Sequence, residues 1–310
     1  MNRASLLAAA GAVLLLPAPS TAQPGPTPLA ASPNTAADQV VFYYAQQAGI
    51  FARAGLDVTA VPASSGSGSL LAVVGGSANV GFSNTLSLAV AHAKGIPIVS
   101  VAPGGLYDTT APIVRALVNA DAPIRTARDL IGRTIAVAGL HDLLSLGAEA
   151  WLGQGGVTPD QVRFLEMPAS AMLAALQSRR VDAMVVYQPF DVAAIAAGAR
   201  VLAKPYDAIA LTFQAGIWFA SSTWADAHRD ATVRFAAAMH ESAVYVNAHF
   251  DELLPMVTAF TKIDVETLRK TPHPRFPPAL AASLIQPVID AAAKFHELPA
   301  PFRAQEMIFA

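Results

Sequence analysis

The chain has 310 residues, a formal net charge of −2, 54% hydrophobic residues and no cysteine. That charge offers no electrostatic footprint for nucleic acid or an anionic membrane. The missing cysteines exclude disulfides, thiolate metal sites, a cysteine nucleophile and a lipid anchor on an N-terminal cysteine.

Residues 1–22 read as a secretory signal: Arg3 gives the positive start, Leu6–Leu16 the short apolar core and Ser20-Thr21-Ala22 a small-residue cleavage site. Removal after Ala22 and export to the periplasm as a soluble protein, not a lipoprotein, are expected. Much of the apolar fraction is alanine, and past residue 22 no uncharged apolar run reaches the roughly 18 residues of a membrane span. Residues 23–35 are rich in proline and small polar residues, with a short strand around Leu29–Ala31 and a loop at Ser32-Pro33-Asn34, after which Asn34 or Thr35 would cap a helix.

Ala36, Ala37, Val40, Val41, Tyr44, Ala45 and Ala48 recur at helical spacing, and Gly49 and Gly55 bracket Ile50–Ala54. Leu56, Val58 and Ala60 then alternate with polar residues as a strand should. The loop Ser64-Ser65-Gly66-Ser67-Gly68-Ser69 runs straight into the apolar helix Leu70–Val74. Such composition usually means a flexible linker. Between a strand and a helix, however, it leaves backbone N–H groups and small hydroxyls free for an anion or polar ligand. After a strand over Ala78–Phe82, Ser83 and Asn84 repeat the device ahead of Thr85–Ala93, either as helix caps or as ligand contacts.

The order and spacing of these pieces resemble the N-terminal lobe of ABC-transporter solute-binding proteins of the nitrate/sulfonate/taurine and thiamine-precursor group, the SsuA-like proteins. Ala45, Gly49, Phe51, Gly55, Leu56, Asp57 and Val58 match that group's A-x-x-x-G-x-F-x-x-x-G-L-D-V run. Ala72 through Gly81 follow its next motif, with Asn79 where the group usually has Asp. Asp129-Leu130-Ile131-Gly132-Arg133 and the following Ile135-Ala136-Val137 resemble the segment that opens the second lobe. Arg180 stands where relatives have Gly. The resemblance spans about residues 30–300.

It implies a two-lobe periplasmic-binding-protein fold (type II): mixed α/β sheets flanked by helices, with two hinge crossovers. Residues 23–117 plus 209–310 would form lobe one and 118–208 lobe two.

Further along, Ile96–Ala102 and Ile113–Val118 read as strands. Thr134–Ala138, Val162–Glu166 and Val181–Tyr187 follow, alternating with helices over Leu143–Gln154 and Ala169–Ser178. The nearly unbroken apolar run Val181–Tyr187 suits the middle of a parallel sheet covered on both faces. Gly198–Leu202 reads as the strand returning from lobe two, Gly216–Ala220 as a lobe-one strand, and the remainder from Ser222 as helical, including His228–His249 and Ala279–Lys294.

The candidate ligand-binding residues are Ser32, Asn34, Ser65, Gly66, Ser67, Ser83 and Asn84 in lobe one. Gly139, His141 and Asp142, at the start of the Leu143 helix, and Tyr187-Gln188, at the cleft edge before Pro189, are those of lobe two. Trp218 is either a ligand platform or plain core. Tyr107 and Asp108 could line the mouth.

The seven histidines show no metal-ligand spacing, so neither metal nor cofactor is expected. The resemblance implies a small-molecule solute and an ABC permease in the inner membrane as partners. The solute would be a polar or anionic organic molecule, sulfonate-, nitrate- or taurine-like; a neutral heteroaromatic solute stacked on Tyr or Trp is the alternative. Enzymes on this fold are a further alternative, disfavoured because the routes known for them use cysteine.

Overall fold

The computed structural model describes residues 25–34, 36–63 and 65–310. The expected signal segment, Thr35 and Ser64 lie outside the described residues. The strands in chain order are β1 (Thr27–Ser32), β2 (Leu56–Ala60), β3 (Val80–Asn84), β4 (Ile98–Pro103), β5 (Leu106–Asp108), β6 (Val114–Val118), β7 (Thr134–Val137), β8 (Arg163–Glu166), β9 (Ala183–Tyr187), β10 (Arg200–Ala203), β11 (Thr212–Gln214) and β12 (Gly216–Ser221). They form two five-stranded mixed sheets, ordered β2-β1-β3-β12-β4 and β10-β6-β9-β7-β8, and a two-stranded ribbon of β5 and β11.

The chain passes from the first sheet to the second between β4 and β6, and back between β10 and β12. Each passage carries one strand of the antiparallel ribbon, with Thr212 opposite Asp108 and Gln214 opposite Leu106. Aromatic packing thickens this connection: Tyr107 lies against both Tyr206 and Phe213. The Tyr107 hydroxyl donates to Asp207 Oδ1 at 2.6 Å, tying the two passages together. Tyr107 is therefore part of the connection, not of a cleft mouth. Asp108 turns instead to Arg275, 3.2 Å away.

Helices cover both sheets, and their apolar stripes make the cores. In the first, Phe42, Phe51, Phe82, Trp218 and Phe235 cluster around the strands. The long helix Arg229–His249 and the helix Val40–Gln47 supply much of that wall. In the second, Met172, Leu176, Met184 and Val186 pack the helix Ala169–Gln177 onto β9.

β9 is central and covered on both faces, as its apolar run implies. Its neighbours differ in direction, however: β7 runs parallel and β6 antiparallel. Asn79, which stands where the motif of the resembling group has Asp, has a structural role. Its Oδ1 accepts from the Ala30 amide at 2.7 Å, pinning β1 beside β3, a bond that an aspartate would also accept. Among the described residues no helix is long and apolar enough to cross a membrane.

Candidate functional site

In parallel sheets, chemistry gathers beyond the carboxyl ends of the strands. Here the ends of β1 and β3 in the first sheet and of β7 and β9 in the second border one cavity of about 600 Å³. Asn34 follows β1, Asn84 ends β3, Ala138 and Asp142 follow β7, and Tyr187 and Gln188 close β9. Because β6 and β12 run antiparallel to β9 and β3, the residues at their starts, Ile113, Val114 and Ala215, arrive at the same end. Ser65 contributes from the helix after β2.

Several of these side chains already cap helices. Asn84 accepts from the Ser87 amide at 2.9 Å, and Ser65 from the Gly68 amide at 3.1 Å. Asn34 accepts from the Ala36 amide at 2.8 Å in the turn ahead of the helix; contrary to the sequence expectation it is not the cap, which is Ala36 with no side-chain bond. Accepting uses an oxygen and leaves each asparagine its NH₂ as a donor. Gln188 spends its NH₂ on the Pro112 carbonyl and keeps its oxygen. The peptide from Gln188 to Pro189 is cis. Tyr187 is 40% exposed and meets Phe190 edge-on at 5.6 Å between ring centres.

Asp142 caps the helix Leu143–Gln154, accepting from the Leu144 and Ser145 amides at 2.8 and 3.0 Å. Burial pushes its carboxyl up to about 6, and the nearby Glu166 and Glu297 add to the rise.

The remaining sequence candidates fall elsewhere. Ser32 is fully buried; its carbonyl accepts from Ser69 Oγ, which in turn accepts from the Phe82 amide, so the serine helix is riveted across β1 and β3. Ser83 and Asn84 belong to β3 rather than to a loop, and Ser83 pairs with Ile217 of β12. Ser83 is 1% exposed and its hydroxyl has no partner among the described residues.

Gly66 explains that burial. A Cβ there would come within 2.4 Å of Ser83 Oγ, so glycine is needed for the helix to approach the sheet. Ser67 is exposed and bonds to Ser65 at 3.0 Å. Gly139 stays beside Asp142 without bordering the cavity. His141, in the left-handed region at φ 58°, points its ring to Glu297 Oε1 at 2.8 Å, and its side chain is 81% exposed. Trp218 is 2% exposed and stacks on Phe42 at 5.1 Å, inside the first core; it is core, not a ligand platform.

Sequence reading missed the far wall. Thr261 and Leu268, from the helices Leu254–Thr261 and Val265–Arg269, and Ile263 and Thr271, from the turns beside them, reach the cavity, as do Phe190 and Tyr206. Only tertiary packing brings those segments there, and no local motif marks them.

Ser83→Ala is expected to leave stability unchanged or raise it slightly, because it removes an unpaired buried hydroxyl. Chemical denaturation checks this; a loss above about 1 kcal/mol would mean that the hydroxyl makes a net favourable bond.

The site also predicts a pH response. Burial raises Asp38 and Asp142 to about 6 and, with Glu297 adding, Glu149 to about 7. The fold holds these protons where the unfolded chain has released them, so each group adds stability as pH falls through its folded value. His141, raised chiefly by its bond to Glu297, has the same sign: its contribution is present at low pH and lost as pH rises through the folded value. The carboxylates with lowered values, such as Asp108 and Asp264, act only in the acid range below their ordinary 3.8. Melting temperature should therefore rise between about pH 8 and about pH 5.5; a fall over that window contradicts these assignments.

A family model described as NMT1/THI5-like matches residues 36–253, well over half of the chain. A comparison with curated proteins finds no match. Among solved structures, the periplasmic aliphatic sulphonate-binding protein SsuA of Escherichia coli superposes with a TM-score of 0.76 at 19% identity, covering 92% of this chain and 93% of that one. A Candida albicans protein described as having the generic periplasmic binding protein fold gives 0.73 at 16%, covering 92% and 96%. The desulfurization enzyme DSZB gives 0.68 at 14%, covering 91% and 96%. Among the described residues no group of three or more His, Asp or Glu is placed to hold a metal. With two mixed sheets meeting over one cavity and a model match over most of its length, the chain belongs to the NMT1/THI5-like family and has the periplasmic-binding-protein fold.

Proposed function

We propose that the chain is the solute-binding component of an ABC importer, holding one small organic molecule between two lobes and presenting the closed form to an inner-membrane permease. The observation that carries this is the cavity itself: residues following strands of both sheets border the same space. A solute touching both lobes favours the closed state because only closure gives it both sets of contacts. In this reading the lobes divide at the two ribbon passages, one just before β6 and one between β10 and β12, which is supported by the membership of β6 in the second sheet. Export, periplasmic residence and ligand release without chemical change belong to this reading.

DSZB shows that the fold also carries an enzyme. Its relevance here is reduced by the absence of any cysteine and by the lack of a paired acid and base among the described residues that border the cavity. Of the two expected solute chemistries, the oxyanion draws on the helix starts that carry Ser65 and Asn84. The ring-bearing solute draws on Tyr187 and Phe190, and it is favoured because none of the described residues that border the cavity is Arg, Lys or His.

The cysteine-free chain makes closure directly measurable. Leu71, 74% exposed in the first lobe, and Leu165, 38% exposed in the second, can each be replaced by a spin-labelled cysteine. The distance between labels should shorten when the co-purified ligand is present relative to protein refolded without it. Identical distances would contradict closure.

A further inference from the structure

We propose that the solute carries a positive charge, an ammonium or amidinium on a compact ring-bearing body, received by the Asp142 carboxylate with Tyr187 and Phe190 against the body. This rests on the solute-binding reading above and specifies its chemistry. Asp142 is the only acidic or basic side chain among the described residues that border the cavity, tyrosines aside. Its Oδ1 takes both helix amides. Its Oδ2 has no partner among the described residues and stands over Gly139, where a Cβ would come within 2.8 Å.

A carboxylate with one oxygen uncommitted accepts a charge-assisted hydrogen bond from an N⁺–H group. The rings of Tyr187 and Phe190 offer the faces that cations favour. The wider surroundings have the same sign. Glu166 and Glu297 act on Asp142 from the end of β8 and from the C-terminal segment, and His141, the nearby basic group, is engaged by Glu297. Tyr187 and Tyr206 are neutral neighbours whose ionisation Asp142 opposes.

Arg115, at the second residue of β6, is spent on Asp191, and Arg275 on Asp108. An oxyanion placed beside Asp142 would meet a like charge with no cation at the cavity wall to offset it. A cation there returns the buried carboxyl toward its ordinary range, so binding near pH 6 should release protons.

Three probes sharing one ring separate charge from shape: benzylamine, benzyl alcohol and phenylmethanesulfonate, titrated at neutral pH into ligand-free full-length protein. Benzylamine should bind at least about tenfold tighter than either, the margin of one charge-assisted hydrogen bond. Asp142→Asn keeps a capping oxygen for the helix and should erase that margin. Tyr187→Ala, which leaves the cap alone, should weaken all three probes alike. An amine that binds no tighter than the alcohol or the sulfonate overturns the charge assignment, as does a margin that survives Asp142→Asn. Tightest binding by the sulfonate would overturn the assignment while leaving the solute-binding reading standing. A protein recovered from its own cells with no small molecule bound would count against both.

Discussion

Arg115→Ala is expected to lower folding stability by about 3–5 kcal/mol, the cost of stranding a buried charge. Arg115 lies on β6 opposite Val186 of β9, and its guanidinium bonds to Asp191 in the first turn of the helix Phe190–Ala196. Asp191 is fully buried and Arg115 nearly so, with 16% of its side chain exposed. Burial already holds the Asp191 carboxyl above its ordinary range, and Arg115 works against that rise. Without the arginine, Asp191 must take up a proton or stay charged in a dry place.

The helix involved begins just after Tyr187, Gln188 and Pro189, so the same variant should loosen the cavity wall. Arg115→Met combined with Asp191→Leu should recover most of the loss, since apolar replacements of similar volume avoid desolvating either charge. Denaturant titration of the single and double variants checks both statements. A single variant within 1 kcal/mol of wild type, on the scale of an exposed pair, would show that the pair is solvated.

Trp218→Ala should cost about 3–5 kcal/mol, the loss typical of removing a large aromatic side chain from a core. Trp218 stacks on Phe42 and meets Phe82 and Phe235 edge-on, at ring separations of 5.5 and 5.6 Å. The neighbours belong to a helix, a strand and the long helix Arg229–His249, which cannot close over the void without shifting the sheet. The milder Trp218→Phe keeps an aromatic body and separates the roles: it should lower the melting temperature and leave the affinity for the co-purified ligand unchanged. Weakened affinity at full stability would return Trp218 to the ligand site.

The outline of the fold was legible because its signals are local. Apolar periodicity marked the helix through Val40 and the long helix ending at His249, and alternation marked β2. The strand–loop–helix order placed Asn34, Ser65, Asn84 and Asp142 at the carboxyl ends of strands, and all four border the cavity.

The same reasoning grouped Ser32, Gly66, Ser67 and Ser83 with them, because sequence distance does not show on which side of a helix start a side chain lies. The structure turns Ser83 under Gly66 and leaves Ser67 outside. His141 fails for another reason: its partner Glu297 is 156 residues away, beyond any local pattern. The wall at Thr261–Thr271 was hidden likewise, since its membership depends on how C-terminal helices dock. Trp218 was ambiguous by composition alone, and five aromatic rings in contact decide it.

The cavity is expected to hold one unaltered small molecule shared by both lobes. Native mass spectrometry of the protein, purified without denaturation from the cells that make it, tests this most directly. The expected spectrum shows one small molecule per chain, released on unfolding and unchanged in mass after prolonged incubation with the protein. Protein that carries no small molecule, or that converts it over many turnovers, would contradict the account.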